Sequence, residues 1–159
     1  MKALTVWQPW ATLIIAGAKP FEFRGWRAPR SIVGQRIVIH AATRKADFNE
    51  CRRLLLALRA GGDEAAETCL KPELAMPILE RAWNEYPLAC GLGTAIVGES
   101  RNGLDIAKEF GVSWVNDSDR DDHANWGWPM LEIEQWAEPV PMKGAQGLWT
   151  WPTPESAGL

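Results

Sequence analysis

The chain has 159 residues, 47% of them hydrophobic, and a net charge of -3, which suits one domain with one sizeable core. No apolar stretch approaches the length of a membrane span. Met1 to Trp7 lacks a signal-peptide core, so a cytoplasmic location with no membrane partner is expected.

The charge is unevenly spread. Residues 1–60 hold eleven Lys/Arg against three Asp/Glu, and residues 61–159 hold six against seventeen. Such segregation presents one sign to a partner, or else the halves neutralise each other across the fold. Cys51, Cys69 and Cys90 are odd in number and widely spaced, as expected of reduced structural thiols. Ten tryptophans exceed what a core of this size needs, so some are expected at the wall of a site.

In chain order, Ala3 to Trp7 reads as a strand. Gln8 to Gly17 reads as a short helix with Pro9 at its first position and Gly17 at its C-terminal cap. Phe21 to Trp26 alternates apolar and charged residues, the pattern of a strand with one wet face. After a loop over residues 28–34, Gln35 to Ala41 carries Ile37-Val38-Ile39, a buried strand. Asp47 to Ala60 is a helix with a capping pair in Asp47 and Glu50. Its apolar stripe holds Phe48, Cys51, Leu54, Leu55 and Leu58, with Leu55 near its centre.

Gly61-Gly62 ends that helix. A second helix is expected over Pro77 to Tyr86, with Ile78, Leu79, Ala82, Trp83 and Tyr86 facing inward. A strand follows over Gly93 to Asn102, with Ile96-Val97 buried, and then a short helix near Asp105 to Phe110. Trp126 to Ala137 reads as a long strand bulged at Pro129, and Gly147 to Trp151 as the last strand. Strands at both ends with helices between them predict an α+β fold, a small mixed β-barrel with peripheral helices. A single domain over residues 1–152 and a frayed tail over 153–159 are expected.

Several familiar sites fail on chemistry. Gly93 to Ser100 has the glycine spacing of a phosphate-binding loop, but Glu99 stands where the lysine belongs. Asp117 to Asp122 alternates like a calcium loop, yet Asp122 replaces the turn glycine and Trp128 the bidentate glutamate. His40 and His123 have no cysteine pair beside them, so no metal is expected. No GxSxG elbow occurs. No cofactor is predicted.

Gly17-Ala18-Lys19-Pro20-Phe21-Glu22-Phe23-Arg24 is different. Glu22 and Arg24 leave one strand on the same face, and Lys19 stands in the turn before it. A lysine offers a mobile charge for phosphate and an arginine a planar fork. A carboxylate between them orients both. The alternative is an ordinary ion-paired surface strand.

This segment resembles the GxKxxExR hallmark of the ASCH domain family, of the PUA-like superfamily, at all four positions. Leu4 to Ala11, Ile37 to Ala42, Gly93 to Gly98, Trp126 to Trp128 and Lys143 to Trp149 also resemble bacterial and phage members. The resemblance spans roughly residues 3–151. It implies a barrel with a cleft at the motif beside the first helix, and binding of RNA. Small members that resemble it act as amidohydrolases on acetylated cytidine. They carry threonine three residues after the lysine, where this chain has Glu22.

Two readings follow. In the first, the cleft binds RNA, a nucleotide or a modified nucleoside. Lys19, Glu22, Arg24 and Arg27, with Arg36 as a further candidate, would face phosphate and base edges, and Trp7, Gln8, Trp10 and Trp26 would form the wall. In the second, a small hydrolase, ribonuclease or nucleoside amidohydrolase, uses Lys19 and Glu22 as catalytic groups. A protein partner bound through exposed tryptophans is a third reading.

Overall fold

The computed structural model describes residues 1–116 and 124–152; the acidic run over 117–122, His123 and the expected tail over 153–159 lie outside them. Seven strands form one mixed sheet: β1 Lys2–Val6, β2 Phe21–Arg24, β3 Arg36–Ala41, β4 Cys90–Val97, β5 Arg101–Asn102, β6 Trp126–Pro141 and β7 Leu148–Thr150. Their order is β2-β6-β4-β3-β1-β7, with β5 also paired to β6. β1 and β3 run parallel, with Val6 opposite Ala41. The other pairs are antiparallel. The expected α+β, PUA-like fold with peripheral helices is present, and its small mixed barrel takes the form of a sheet curled into a half-barrel.

Five helices are described: α1 Trp10–Ile15, α2 Phe48–Ala60, α3 Gly62–Glu67, α4 Pro72–Leu79 and α5 Gly103–Phe110. The main core joins Leu13 and Ile14 of α1 to Ile37 and Ile39 of β3, Val97 of β4, Leu54 of α2, Ile78 of α4 and Trp128 of β6. Ile37, Val38 and Ile39 are buried as expected. Of the pair in β4, Val97 is buried and Ile96 only half-buried. A smaller cluster of Phe23, Cys69, Ile106, Ala107 and Val115 lies under α5.

Asp47 caps α2 by accepting from Glu50 N, which satisfies one of the orphan donors of the first turn. Cys51, Leu54 and Leu58 are buried, but Phe48 is exposed and Leu55 half-buried. The core face is therefore narrower than the apolar stripe and centred on Leu54.

Other elements differ from the expectation for local reasons. Gly61 closes α2, and the chain re-enters a helix at once as α3. The next helix starts earlier, at Pro72, where the missing N–H is one the first turn cannot use. It ends at Leu79, so Ala82 and Trp83 are exposed. Tyr86 is buried because the chain folds back and its hydroxyl donates to Ile78 O at 2.6 Å. The strand expected over Gly93 to Asn102 is two strands, both paired to β6. Pro129 sits in regular register opposite Phe21. The irregularities fall instead between Gly91 and Gly93 and between Thr94 and Ile96, the second facing Glu132 with its φ of 45°.

Candidate nucleic-acid interface

Helix α1 ends at Ile15, and Gly17 adopts φ +75°, a left-handed turn that glycine enters without a Cβ penalty. That turn sends Lys19 inward. Lys71 N donates to Ala18 O at 2.9 Å, so the segment before α4 closes over it. Lys19 is only 2% exposed, and its Nζ lies 3.7 Å from Glu22 Oε1 and 5.3 Å from the Phe23 ring centroid. The turn position suggests a mobile lysine charge, but the side chain is enclosed. Burial pulls the ammonium down to about 8, against the raising pull of the Glu22 carboxylate.

Glu22 is buried as well, and its Oε2 accepts from Arg24 Nη2 at 3.1 Å. Arg24 is the member of the trio that reaches solvent, with 20% of its side chain exposed. Its guanidinium also donates to Thr5 O at 3.4 Å and lies 5.7 Å from the Trp128 ring. Trp128 is fixed by its Nε1, which donates to Trp26 O. Lys19, Glu22 and Arg24 thus form one chain of contacts from the interior to the surface.

The other expected site residues divide into three groups. Trp7 and Trp26 are exposed, 42% and 63%, at the ends of β1 and β2. The Arg44 guanidinium stacks 3.9 Å from the Trp7 centroid. Gln8 and Trp10 are buried. Gln8 donates to Pro87 O and accepts from Thr12 N, tying α1 to a distant loop. This role is structural, because both ends of its amide are used. Trp10 belongs to the core, yet its Nε1 and Thr12 Oγ1 are the buried side-chain polar atoms lacking a partner among the described residues. Arg27 stacks on Trp126 at 4.3 Å. Arg36 begins β3, roughly 15 Å along the strand from the motif end. It is held by Thr94 Oγ1, Glu132 and Glu134 and does not join the motif residues.

Thr5, Arg44, Trp126 and Trp128 are neighbours of the site that the local pattern did not single out. Thr5 is a junction. Its N donates to Gly147 O, its Oγ1 donates to Ala145 O at 2.6 Å, and Trp149 Nε1 donates to Thr5 Oγ1. His40 Nε2 lies 2.7 Å from Met142 O and donates to it, and a Cβ at Gly144 would meet the His40 ring at 2.5 Å. The loop before β7 is thereby pinned beside Arg24.

Both readings of the charge asymmetry find residues. Arg30, Arg36 and Arg59 pair with Glu99, Glu132 with Glu134, and Glu80, which is neutralisation across the fold. Arg27 and Arg44 instead lie on indole faces. Among the described residues no His/Cys/Asp/Glu group could hold a metal, and no helix is long and apolar enough to cross a membrane. Burial pushes the Cys69 thiol up to about 12 and Cys51 to about 11, so both are inert at neutral pH.

The curled mixed sheet with its flanking helices is that of a PUA-like domain. The model of the ASCH domain matches residues 4–99, and the chain belongs to that family. No curated protein matches it. The crystal structure of ASCH from Zymomonas mobilis is similar at TM-score 0.52 and 14% identity, covering 99% of this chain and 90% of that one. Two mutant forms of that protein give TM-scores of 0.51, also at 14% identity, with coverage of 99% of this chain and 91% or 93% of theirs. At this identity the likeness concerns the fold. ASCH domains, as PUA-like folds, are often linked to RNA binding.

Proposed function

We propose that the chain binds single-stranded RNA, or a nucleotide unit of it, at the mouth of the half-barrel, with Arg24 as the contacting cation. The observation that carries this reading is the burial gradient of the motif. Lys19 and Glu22 are sealed while Arg24 is partly open and held by Glu22, Thr5 O and Trp128. A guanidinium positioned in this way loses little freedom when it meets phosphate or a base edge. Trp7 and Trp26 supply exposed faces for stacking, worth roughly 1–3 kcal/mol per base.

The test is titration of the full chain with a labelled single-stranded oligouridylate at several salt concentrations. Binding should weaken with salt, with a log–log slope of about -0.7 per phosphate contact. Arg24→Ala should reduce affinity at least tenfold, and Trp7→Ala should reduce it less. Salt-independent binding, or binding indifferent to Arg24, would remove this reading.

A hydrolase reading is favoured by one observation. Lys19 Nζ lies 3.7 Å from Glu22 Oε1, and burial pulls its ammonium down to about 8, the range that suits a general acid or base. Product formation from RNA or from an acylated nucleoside, lost in Glu22→Gln while the substrate still binds, would establish it.

A further inference from the structure

An open groove of about 810 Å³ lies beside the motif rather than over it, between the loop after β2, strand β5 and helix α5. Among the described residues its charged lining is Arg27, Arg101 and Lys108 against Asp105, and Arg101 is itself paired with Glu109, which leaves Arg27 and Lys108 as its cations in a chain whose net charge is -3. The Arg27 guanidinium lies 4.3 Å from the Trp126 centroid and makes no hydrogen bond among the described residues. The Lys108 ammonium likewise has no partner among them. Arg101 is fixed by two bonds to Glu109 and by the Phe21 ring, so it is a positioned charge. Ser100 anchors the loop by accepting from Ala28 N. Trp126 is the Cα partner of Arg24 and also lines this groove. The groove therefore begins one strand away from the motif arginine.

We propose that this groove is a second site, for the phosphodiester backbone of the next nucleotides of a single-stranded RNA whose first unit sits at Arg24. The inference rests on the RNA reading above. Arg27 lies within electrostatic reach of Glu99 but makes no hydrogen bond to it, and Arg27 and Lys108 with their hydrogen-bonding edges open beside an aromatic face suit a strand that alternates phosphates and stacking surfaces. Asp105 accepts from a ribose hydroxyl or an exocyclic amine, groups that a bare phosphate or polyanion lacks. The volume is that of a site for a small number of nucleotide units.

The experiment compares oligouridylates of two and ten nucleotides bound to the full-length wild type, Lys108→Gln, Lys108→Glu and Arg24→Ala. Lys108 is exposed on α5, so its variants should melt with the wild type. The ten-mer should bind Lys108→Glu at least fivefold more weakly, and Lys108→Gln should flatten its salt slope by about 0.7. The dinucleotide should bind these two variants as it binds wild type. Arg24→Ala should weaken both ligands. Unchanged ten-mer binding to the Lys108 variants, with Arg24→Ala still defective, overturns the second site and leaves the motif reading standing. Equal loss for both lengths makes the groove part of the first site and also overturns the proposal. Wild-type protein that binds neither length, or Arg24→Ala that binds both normally, removes both readings together.

Discussion

Arg24 donates from Nη2 to the main-chain oxygen of Thr5 at 3.4 Å, although their strands, β2 and β1, are separated in the sheet by β6, β4 and β3. In a flat sheet four strand spacings amount to about 19 Å, beyond the reach of an arginine side chain. The contact exists because the sheet curls, and it ties the two sides of the half-barrel at its mouth.

Arg24→Lys keeps the charge but loses the fork that serves Glu22 and Thr5 together. It should lower RNA affinity nearly as much as Arg24→Ala, and unfolding stability by about 1–2 kcal/mol because a buried carboxylate loses a partner. Oligonucleotide titration and urea melts check both. A lysine variant that binds like wild type would show that charge alone suffices.

Lys19 makes stability depend on pH in a defined window. Its folded-state value of about 8 lies below the ordinary 10.5, so between these the unfolded chain binds more protons, and the Lys19 contribution to stability rises with pH. Below that window both states are protonated and the contribution is flat. The raised Cys51 and Cys69 thiols act in the opposite direction above about pH 9. The comparison with Lys19→Met isolates the lysine. The stability of wild type minus that of Lys19→Met, from denaturant melts, should grow from pH 8 to 9.5 at up to about 1.4 kcal/mol per pH unit. A flat difference would mean that Lys19 is not held in a dry site.

Leu54 is fully buried and Leu55 half-buried. Leu54→Ala should cost about 2–5 kcal/mol, and Leu55→Ala clearly less. Equal losses in guanidinium melts would show that α2 buries a wider face.

Three indoles, Trp136, Trp149 and Trp151, pack with centroids 5.6 and 5.7 Å apart, and two of them cover Gly91. A Cβ there would lie 2.6 Å from Trp151 and 2.7 Å from Trp136. Gly91→Ala should displace both rings, at about 1–3 kcal/mol, and change the near-ultraviolet circular dichroism. An unaltered spectrum with unaltered stability would contradict this packing.

The motif was legible from the sequence because strand periodicity alone puts Glu22 and Arg24 on one face and because a glycine precedes the turn. The depth of Lys19 was not, since it depends on the Lys71–Ala18 bond and on Cys69, some fifty residues further along the chain. Arg44 escaped notice for a similar reason. It meets Trp7 because β1 and β3 are parallel and their ends coincide, and pairing direction leaves no mark on either strand alone. Gln8 illustrates the reverse error: a polar residue beside the motif reads as a ligand contact until both ends of its amide are found in use by the backbone. Helix boundaries around residues 72–86 were misplaced because Tyr86 is buried by a chain reversal that mimics helical spacing.

β1 lies between β3 and β7, the last strand described, and its Thr5 is held by the segment before β7. During synthesis the first strand therefore waits for residues near 150 before its second edge is covered. Such long-range closure slows folding, and it makes the rim of the half-barrel a late product of translation: the free edge of β1 stays open to any passing strand until β7 has been made.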